Sequence, residues 1–551
     1  MLRSIGLACI AALTLATAPA AAAVAPGRVA FSIATKVPER NVDAGGAGPA
    51  VALPGGGVVM IAYDPAGGVT LVQLRGDGSL DPSFGSGGIA RVALPGGRFN
   101  PAQLLRRPDG RLLVVGTGVT PASVYELPRF VLVALTAAGA PDPSFGTGGI
   151  VSLDLQSSCG GGCAPAGLAP DGSIVITGNT GQVSPAIVSN PNAPNTFQWV
   201  VRRLTSAGAT DPAFGTVPVS GPPGVATSGY GTVVRPSGAI VVLGIRERRT
   251  QLAGLTATGA PDPAFNAGQL ATVPVDAFQM LLRADGAIDV AARDQLVRFT
   301  AGGALDASYG TGGAVSFSGF NRSYGPPAML PTPDGGTILS GQRMFEPTPA
   351  AQPRLQVQRV TRSGTLGAAG MLSPAFGGGI AGTRLGIDQN SFRGALVARA
   401  DGSYLAVGGL SVVRYTGEGS GFSAGYVAVA AFTPLLAPDT AFGGPQRPAQ
   451  ALVRLPRQRA RSAAELRRVL ARVTTSGAGL VQLRVRDGRG RVLAQDVAPV
   501  YAAGTTTVRI ALTTTGRRIL RRGRSIRVRV GRDFRDVLAA RDRGVITGRL
   551  R

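Results

Sequence analysis

The chain has no histidine and only three cysteines in 551 residues. Without an imidazole there is no Ser-His-Asp triad, no Cys-His dyad and no His-ligated metal centre. Lysine is nearly missing too: Lys36 stands alone among 55 basic residues. An arginine bias this complete reflects base composition rather than a functional choice. Aromatic residues are 5% of the chain, with a single tryptophan, and charged residues only 15%. After the N-terminal segment no run reaches the ~18 apolar residues of a membrane-spanning helix, so no transmembrane anchor is expected. No glycine-rich phosphate or dinucleotide fingerprint follows a strand and opens a helix.

Glycine (81) and proline (41) are abundant, yet 44% of residues are hydrophobic. Disordered Gly/Pro chains lack that apolar content, so these residues read as turn punctuation between many strands. The opening has Arg3, an apolar run from Ile5 to Leu15 and a small-residue stretch Ala18 to Ala23, the pattern of a secretory signal over residues 1–23. Cys9 would leave with it. The remaining pair, Cys159 and Cys163, is separated by three glycines, and in an oxidising compartment a disulfide is expected. Two thiols without histidine leave a zinc site short of ligands, so no metal or other cofactor is expected.

One phrase organises the chain. Leu80-Asp81-Pro82-Ser83-Phe84-Gly85-Ser86-Gly87-Gly88 returns as Pro141-Asp142-Pro143-Ser144-Phe145-Gly146-Thr147-Gly148-Gly149. Looser copies carry Asp211 and Phe214, Asp262 and Phe265, Asp306 and Tyr309, then Phe376 without the aspartate, and Asp439 with Phe442. Asp81 to Asp439 is 358 residues in six steps, about 60 per step, the size of a repeat unit. A second phrase alternates with the first: Arg107-Pro108-Asp109-Gly110 and Ala169-Pro170-Asp171-Gly172, with relatives at 53–56, 235–238, 283–286, 332–335 and 399–402. Asp-Gly between apolar runs signals a hairpin. Each unit then reads as four short strands, and seven such units predict a seven-bladed β-propeller, with a β-solenoid as the alternative. Arg28 to Ile33 looks like an outer strand without its own partners, and is predicted to complete the last blade. In the first phrase the aspartate is expected to bond its own downstream backbone, and the aromatic ring to plug between blades.

These two phrases resemble the delta-60 repeat family of bacterial extracellular proteins over residues 50–445. Asn266 and Ser373 depart from the pattern. The resemblance implies a secreted, propeller-like array and supplies no catalytic residues.

Hairpin connectivity sorts the turns. Both repeat phrases fall on one face, and the irregular insertions fall on the other, in B–C loops and D-to-A connections. Loops on a rigid scaffold are where recognition resides, with Tyr, Trp and Arg as anchors. The candidate ligand-binding residues there are Tyr125, Trp199, Arg246, Arg248, Arg322, Tyr324 and Tyr415. A glycosidase needs only two carboxylates; Glu126, Asp154, Asp276, Glu346, Asp388 and Glu418 lie on or near this face but are too scattered to nominate a pair. No catalytic residue is assigned, and no enzyme is expected.

The net charge of +25 is unevenly placed: residues 451–551 hold 25 arginines against six carboxylates, a surplus of 19. Ser462-Ala463-Ala464-Glu465 reads as a capping box ahead of a short helix carrying Leu466, Val469, Leu470 and Val473. Alternating strands follow, at Val481 to Val485, Val508 to Leu512 and Ile526 to Val530, and they suggest a small immunoglobulin-like sandwich similar to the Arg-rich β-domains appended to secreted actinobacterial proteins. Such a field attracts anionic polymers.

The whole reads as all-β: a signal at 1–23, a seven-bladed β-propeller at 24–444, a linker at 445–452 and a basic Ig-like β-sandwich at 453–551. The expected protein is a secreted, extracellular or cell-surface, monomeric binding scaffold. Its expected partner is an anionic envelope polymer, an extracellular polysaccharide or a protein, with no specific nucleic acid. The alternatives are a polysaccharide-active propeller enzyme, glycosidase or lyase, and a purely structural surface protein.

Overall fold

The computed structural model describes residues 22–25, 28–31 and 47–551, apart from 63–67, 95–98, 119–127, 158–162, 182–197, 220–226, 319, 321–326, 343–354, 373–384, 389–394, 417–418, 435–438, 440, 443–449, 477–478, 501–503, 523–524 and 537–540. Most of the signal sequence, most of the linker and the sixth copy of the first phrase, with Phe376, lie outside the described residues.

Each aliphatic run becomes a strand because a turn stops it on both sides. At Arg107–Arg111 the Arg107 N–H donates to the Arg111 carbonyl (2.8 Å) and the Gly110 N–H donates back to the Arg107 carbonyl (2.9 Å). Asp109 Oδ1 accepts from the Arg111 N–H at 3.0 Å. Gly110 sits at φ 87°, a conformation that strains any residue with a β-carbon.

Among the described residues, four sheets are separate four-stranded antiparallel meanders, at 47–92, 227–272, 277–316 and 328–372. Two more repeats, 99–156 and 166–218, join edge to edge through one residue pair, Gln156 with Asn179. The last sheet combines Ala395–Ala398, Tyr404–Thr416 and Gly419–Phe432 with Arg28–Phe31 from the far end of the chain. Arg28 pairs with Ala430 and Phe31 with Val427, so this N-terminal strand joins the last sheet, and Ala22–Ala25 pairs along its outer edge.

Strand Val58–Ala62 is buried on both faces. Val59 and Ile61 pack with Leu112, Val114, Val133 and Leu135 of the next repeat. Val58, Met60 and Ala62 pack instead with Val397, Leu405, Val407, Val429 and Phe442 of the last one. Two covered faces explain why these strands read as continuous apolar runs rather than alternating ones. First and last repeats also meet through Arg399, whose Nε donates to the Gly56 carbonyl (3.0 Å) and Nη2 to the Gly76 carbonyl (2.9 Å). The array is therefore closed and β-propeller-like. A linear solenoid would leave these two repeats apart.

Residues 451–550 enclose a separate core between two sheets. One holds Ala451–Arg454, Arg468–Thr475 and Gly504–Ala511; the other runs Val492–Val500, Gly479–Asp487, Ile526–Asp536, Arg541–Leu550. Val469, Val473 and Ile510 of the first meet Val481, Leu483, Val530 and Phe534 of the second. The predicted capping box does not form. The helix is Ala460–Glu465, its N-cap is Arg459 without a side-chain cap, and Ser462 lies inside it. It ends before Arg467 (φ 55°), and Val469 to Val473 belong to a strand in which Val469, Ala471 and Val473 face inward.

Candidate functional site

The first phrase is occupied with its own turn. Oδ1 of Asp81 accepts from the Ser83 N–H and hydroxyl (3.1 and 2.7 Å). Asp142 and Asp306 do the same with Ser144 and Ser308. Asp211, Asp262 and Asp439 accept from the N–H two residues on. The Ser83 hydroxyl holds the Asp81 carboxyl below its ordinary range, and Arg203 does so for Asp211. The aromatic rings of the described copies are buried and pack against the next repeat. A β-carbon on Gly139 would lie 2.9 Å from the Phe84 ring, and one on Gly208 would lie 2.8 Å from the Phe145 ring. Phe442 closes the series in the core shared with the first repeat. This face is built from structural turns.

On the other face the predicted anchors divide. Tyr125, Arg322 and Tyr324 lie outside the described residues, and so does the side chain of Tyr415, within the strand Tyr404–Thr416. Trp199 is no anchor. It is 0% exposed and belongs to the core with Val175, Val242 and Leu255. Its Nε1–H donates to Thr177 Oγ1 at 2.8 Å. β-Carbons on Gly229 or Gly244 would approach the indole to 2.7 Å, so these glycines form the slot that holds it. An indole with its single polar atom satisfied has nothing left to offer a ligand.

Arg246 and Arg248 remain at the surface. Ile240–Arg246 and Arg249–Leu255 pair in register up to Arg246 with Arg249, leaving Glu247 and Arg248 as a two-residue loop. Both loop residues have positive φ, 51° and 63°, as a type I′ turn requires. Such turns normally use Asn-Gly, because side chains are strained there. Glu247, Arg248 and Arg249 are exposed, and Arg246 Nη2 lies 3.7 Å from Glu247 Oε1. The tip thus carries three guanidiniums against one carboxylate. Guanidiniums at such a tip are able to donate charge-assisted hydrogen bonds to an anionic group.

Of the remaining candidate carboxylates, only Asp154 and Asp276 have described side chains. Asp154 is bonded by the Arg202 guanidinium, which holds its carboxyl below the ordinary range. Asp276 is exposed, Asp388 ends the strand Leu385–Asp388, and Glu126, Glu346 and Glu418 lie outside the described residues. Among the described residues no three His, Cys, Asp or Glu side chains cluster as metal ligands would. Cys163 is disulfide-bonded; Cys159 lies outside the described residues.

One recurrent role escaped the sequence reading. The arginine that opens the second phrase reaches into the following repeat and donates to its turn carbonyls: Arg107 to Ser206 (2.7 Å), Arg235 to Ala301 (2.6 Å), Arg283 to Gly335 and Arg399 to Gly56. Around Arg283 this becomes a buried charge cluster. Asp289, 0% exposed, accepts from Arg283 Nη1 (3.0 Å), Arg298 Nε (2.6 Å) and Thr337 Oγ1 (2.7 Å). Arg298 stacks 3.7 Å over the Tyr309 ring and donates to the Arg362 carbonyl of the next repeat. The signal was present, since arginine stands three residues before the turn glycine in four copies.

No protein-family model matches the chain, and no curated protein sequence matches it. Among solved structures it is similar to prolyl oligopeptidase B from Galerina marginata, at 9% identity and TM-score 0.35 over 79% of this chain and 56% of that one. PorZ, a bacterial surface component of the type-IX secretion system of Porphyromonas gingivalis, matches at 12% identity and TM-score 0.30, over 95% and 68%. A protein of unknown function from Bacteroides caccae matches at 13% and 0.26, over 52% and 91%. The chain spans little more than half the length of the oligopeptidase. Likenesses this distant carry no residue role across. No helix among the described residues is long and apolar enough to cross a membrane.

Proposed function

We propose that the protein is a secreted, non-catalytic scaffold: a seven-bladed β-propeller that recognises an anionic extracellular ligand through its irregular rim, followed by a basic Ig-like sandwich that holds it at the envelope. The sandwich reading rests on strand order. The sheets contain the first, second and fifth strands, and the fourth, third, sixth and seventh, an arrangement within the Ig-like range. The recognition reading rests on the Arg246–Arg249 turn, where two strained non-glycine residues present three guanidiniums at the tip of a rigid hairpin. Strained backbone of this kind is found clustered at active sites and ligand clamps.

The experiment is retention of the full chain on envelope fractions and acidic polysaccharides. Replacing Arg246, Arg248 and Arg249 together with glutamine is expected to weaken retention at least ~10-fold, the effect of losing about 1.4 kcal/mol, with the thermal midpoint unchanged. Retention equal to wild type on every matrix sinks the recognition reading.

A further inference from the structure

The outer face of the four-stranded C-terminal sheet carries a pattern that stability does not favour. Arg486 stands directly opposite Arg529, and Arg527 directly opposite Arg549. Like charges set opposite each other across a sheet repel and destabilise it. Arg484 continues the patch, beside Gly531 on the neighbouring strand. None of the five is in an ion pair among the described residues; Arg486 donates only to the Gly490 carbonyl. The one described carboxylate on the outward rows of the three strands that carry them, Asp533, is engaged by Arg541 and Arg543 at the far end. The strands run adjacent, so the five arginines form a diagonal stripe about 10 Å across and about 14 Å along.

The rest of that face says what the stripe would take. Its other outward residues include Gln482, Gln495, Gly531, Val545 and Thr547, and none is aromatic. There is no platform on which a base or a sugar ring could stack, and few neutral polar groups to read hydroxyls. What remains is a row of guanidinium forks, which match the paired non-bridging oxygens of phosphate. We infer that this stripe binds a linear phosphate polymer, each arginine engaging successive phosphates along the chain. The bound polymer would also neutralise the cross-strand repulsion, so the face is most stable when occupied. This inference rests on the tethering part of the proposed function and gives it residues and a ligand class.

The test uses the full-length protein and end-labelled sodium polyphosphate, titrated across a series of salt concentrations. Five phosphate contacts predict a log–log salt slope of about −3.5, taking roughly 0.7 per contact on a flexible single chain. Arg527→Gln with Arg529→Gln is expected to reduce the slope by about 1.4 and to leave the thermal midpoint unchanged or raised, because repulsion is removed. Arg457→Gln with Arg459→Gln removes the same charge from exposed positions elsewhere in this region and should leave the slope nearly intact. Equal effects of the two double variants would overturn the patch in favour of net charge alone. A lowered midpoint in Arg527→Gln/Arg529→Gln would make the arginines structural. Tighter binding of polygalacturonate or of a single-stranded oligonucleotide than of polyphosphate would overturn the ligand class. Retention on envelope fractions that polyphosphate cannot compete away would defeat this inference while leaving the tether standing; no retention on any anionic matrix at low salt would defeat both.

Discussion

Trp199→Ala separates the two roles this residue was open to. The indole is completely buried in a slot shaped by Gly229 and Gly244 of the following repeat, and its N–H is bonded to Thr177. A buried indole removes on the order of 150–250 Å² from water. At about 25 cal/mol per Å² that is about 4–6 kcal/mol, an upper estimate because unfolded chains bury part of it already. Truncation also empties the slot and takes the donor from the Thr177 hydroxyl, and measured losses for such truncations run about 3–5 kcal/mol. The expected loss is about 4 kcal/mol, a large share of the ~5–15 kcal/mol that holds a typical domain together. Trp199→Phe keeps a ring in the slot and gives up the hydrogen bond, for about 1–2 kcal/mol. Urea unfolding followed by far-UV circular dichroism reads both variants. Because the chain has one tryptophan, the wild-type emission reports directly on this contact between repeats. A Trp199→Ala protein that unfolds within ~0.5 kcal/mol of wild type, the range of an ordinary surface substitution, would refute the burial. If it also lost retention on envelope polymers, the residue would return to the rim as an anchor.

Asp289→Asn should destabilise by about 3–5 kcal/mol, because it leaves the buried Arg283 and Arg298 guanidiniums without their shared counter-charge. Tyr309→Phe, in contrast, removes a buried hydroxyl that has no partner among the described residues, and its thermal midpoint should hold or rise. Glu247→Asn with Arg248→Gly relieves two left-handed residues and should raise the denaturant midpoint, by about 1–2 kcal/mol per relieved residue at most. The pH profile follows from the turn aspartates. Asp81, Asp171 and Asp401 are lowered first by the hydroxyl of a serine two residues on, and Asp334 is brought to about 2 by Thr332 and then Arg359. A carboxyl whose folded value is depressed contributes stability above its ordinary value near 3.8 and loses it as pH falls through the folded value. Thermal midpoints should therefore decline from about pH 4 towards pH 2, and stay flat from pH 5 to 8, where a chain without histidine has almost nothing to titrate. A midpoint that shifted strongly between pH 6 and 7 would count against this account.

The two repeat phrases were legible because their physics is local. An aspartate bonding two residues ahead, or a glycine turning a hairpin, needs no knowledge of the neighbouring sheet. Trp199 was misread because its partner is distant in sequence: the slot belongs to Gly229 and Gly244 of the next repeat, while the residue itself directly follows a long irregular insertion. A closer pattern existed. Glycine stands near the end of the second strand in several repeats, and a neighbouring aromatic fills the space left at Gly116 by Phe99, at Gly178 by Phe130 and at Gly341 by Phe320. Asp289 was invisible for the same reason, since its ligands Arg283, Arg298 and Thr337 come from two repeats. In the C-terminal region, Leu466, Val469, Leu470 and Val473 fit a helical spacing, but Val469, Ala471 and Val473 fit a strand as well, and the left-handed Arg467 decides between them. The arginine alternation there could be read from each strand alone. Which arginines face each other could not, because that depends on the register between Arg486 and Arg529, 43 residues apart. The repulsion that makes this face a candidate for binding is thus a property of pairing. Net charge could only hint at it.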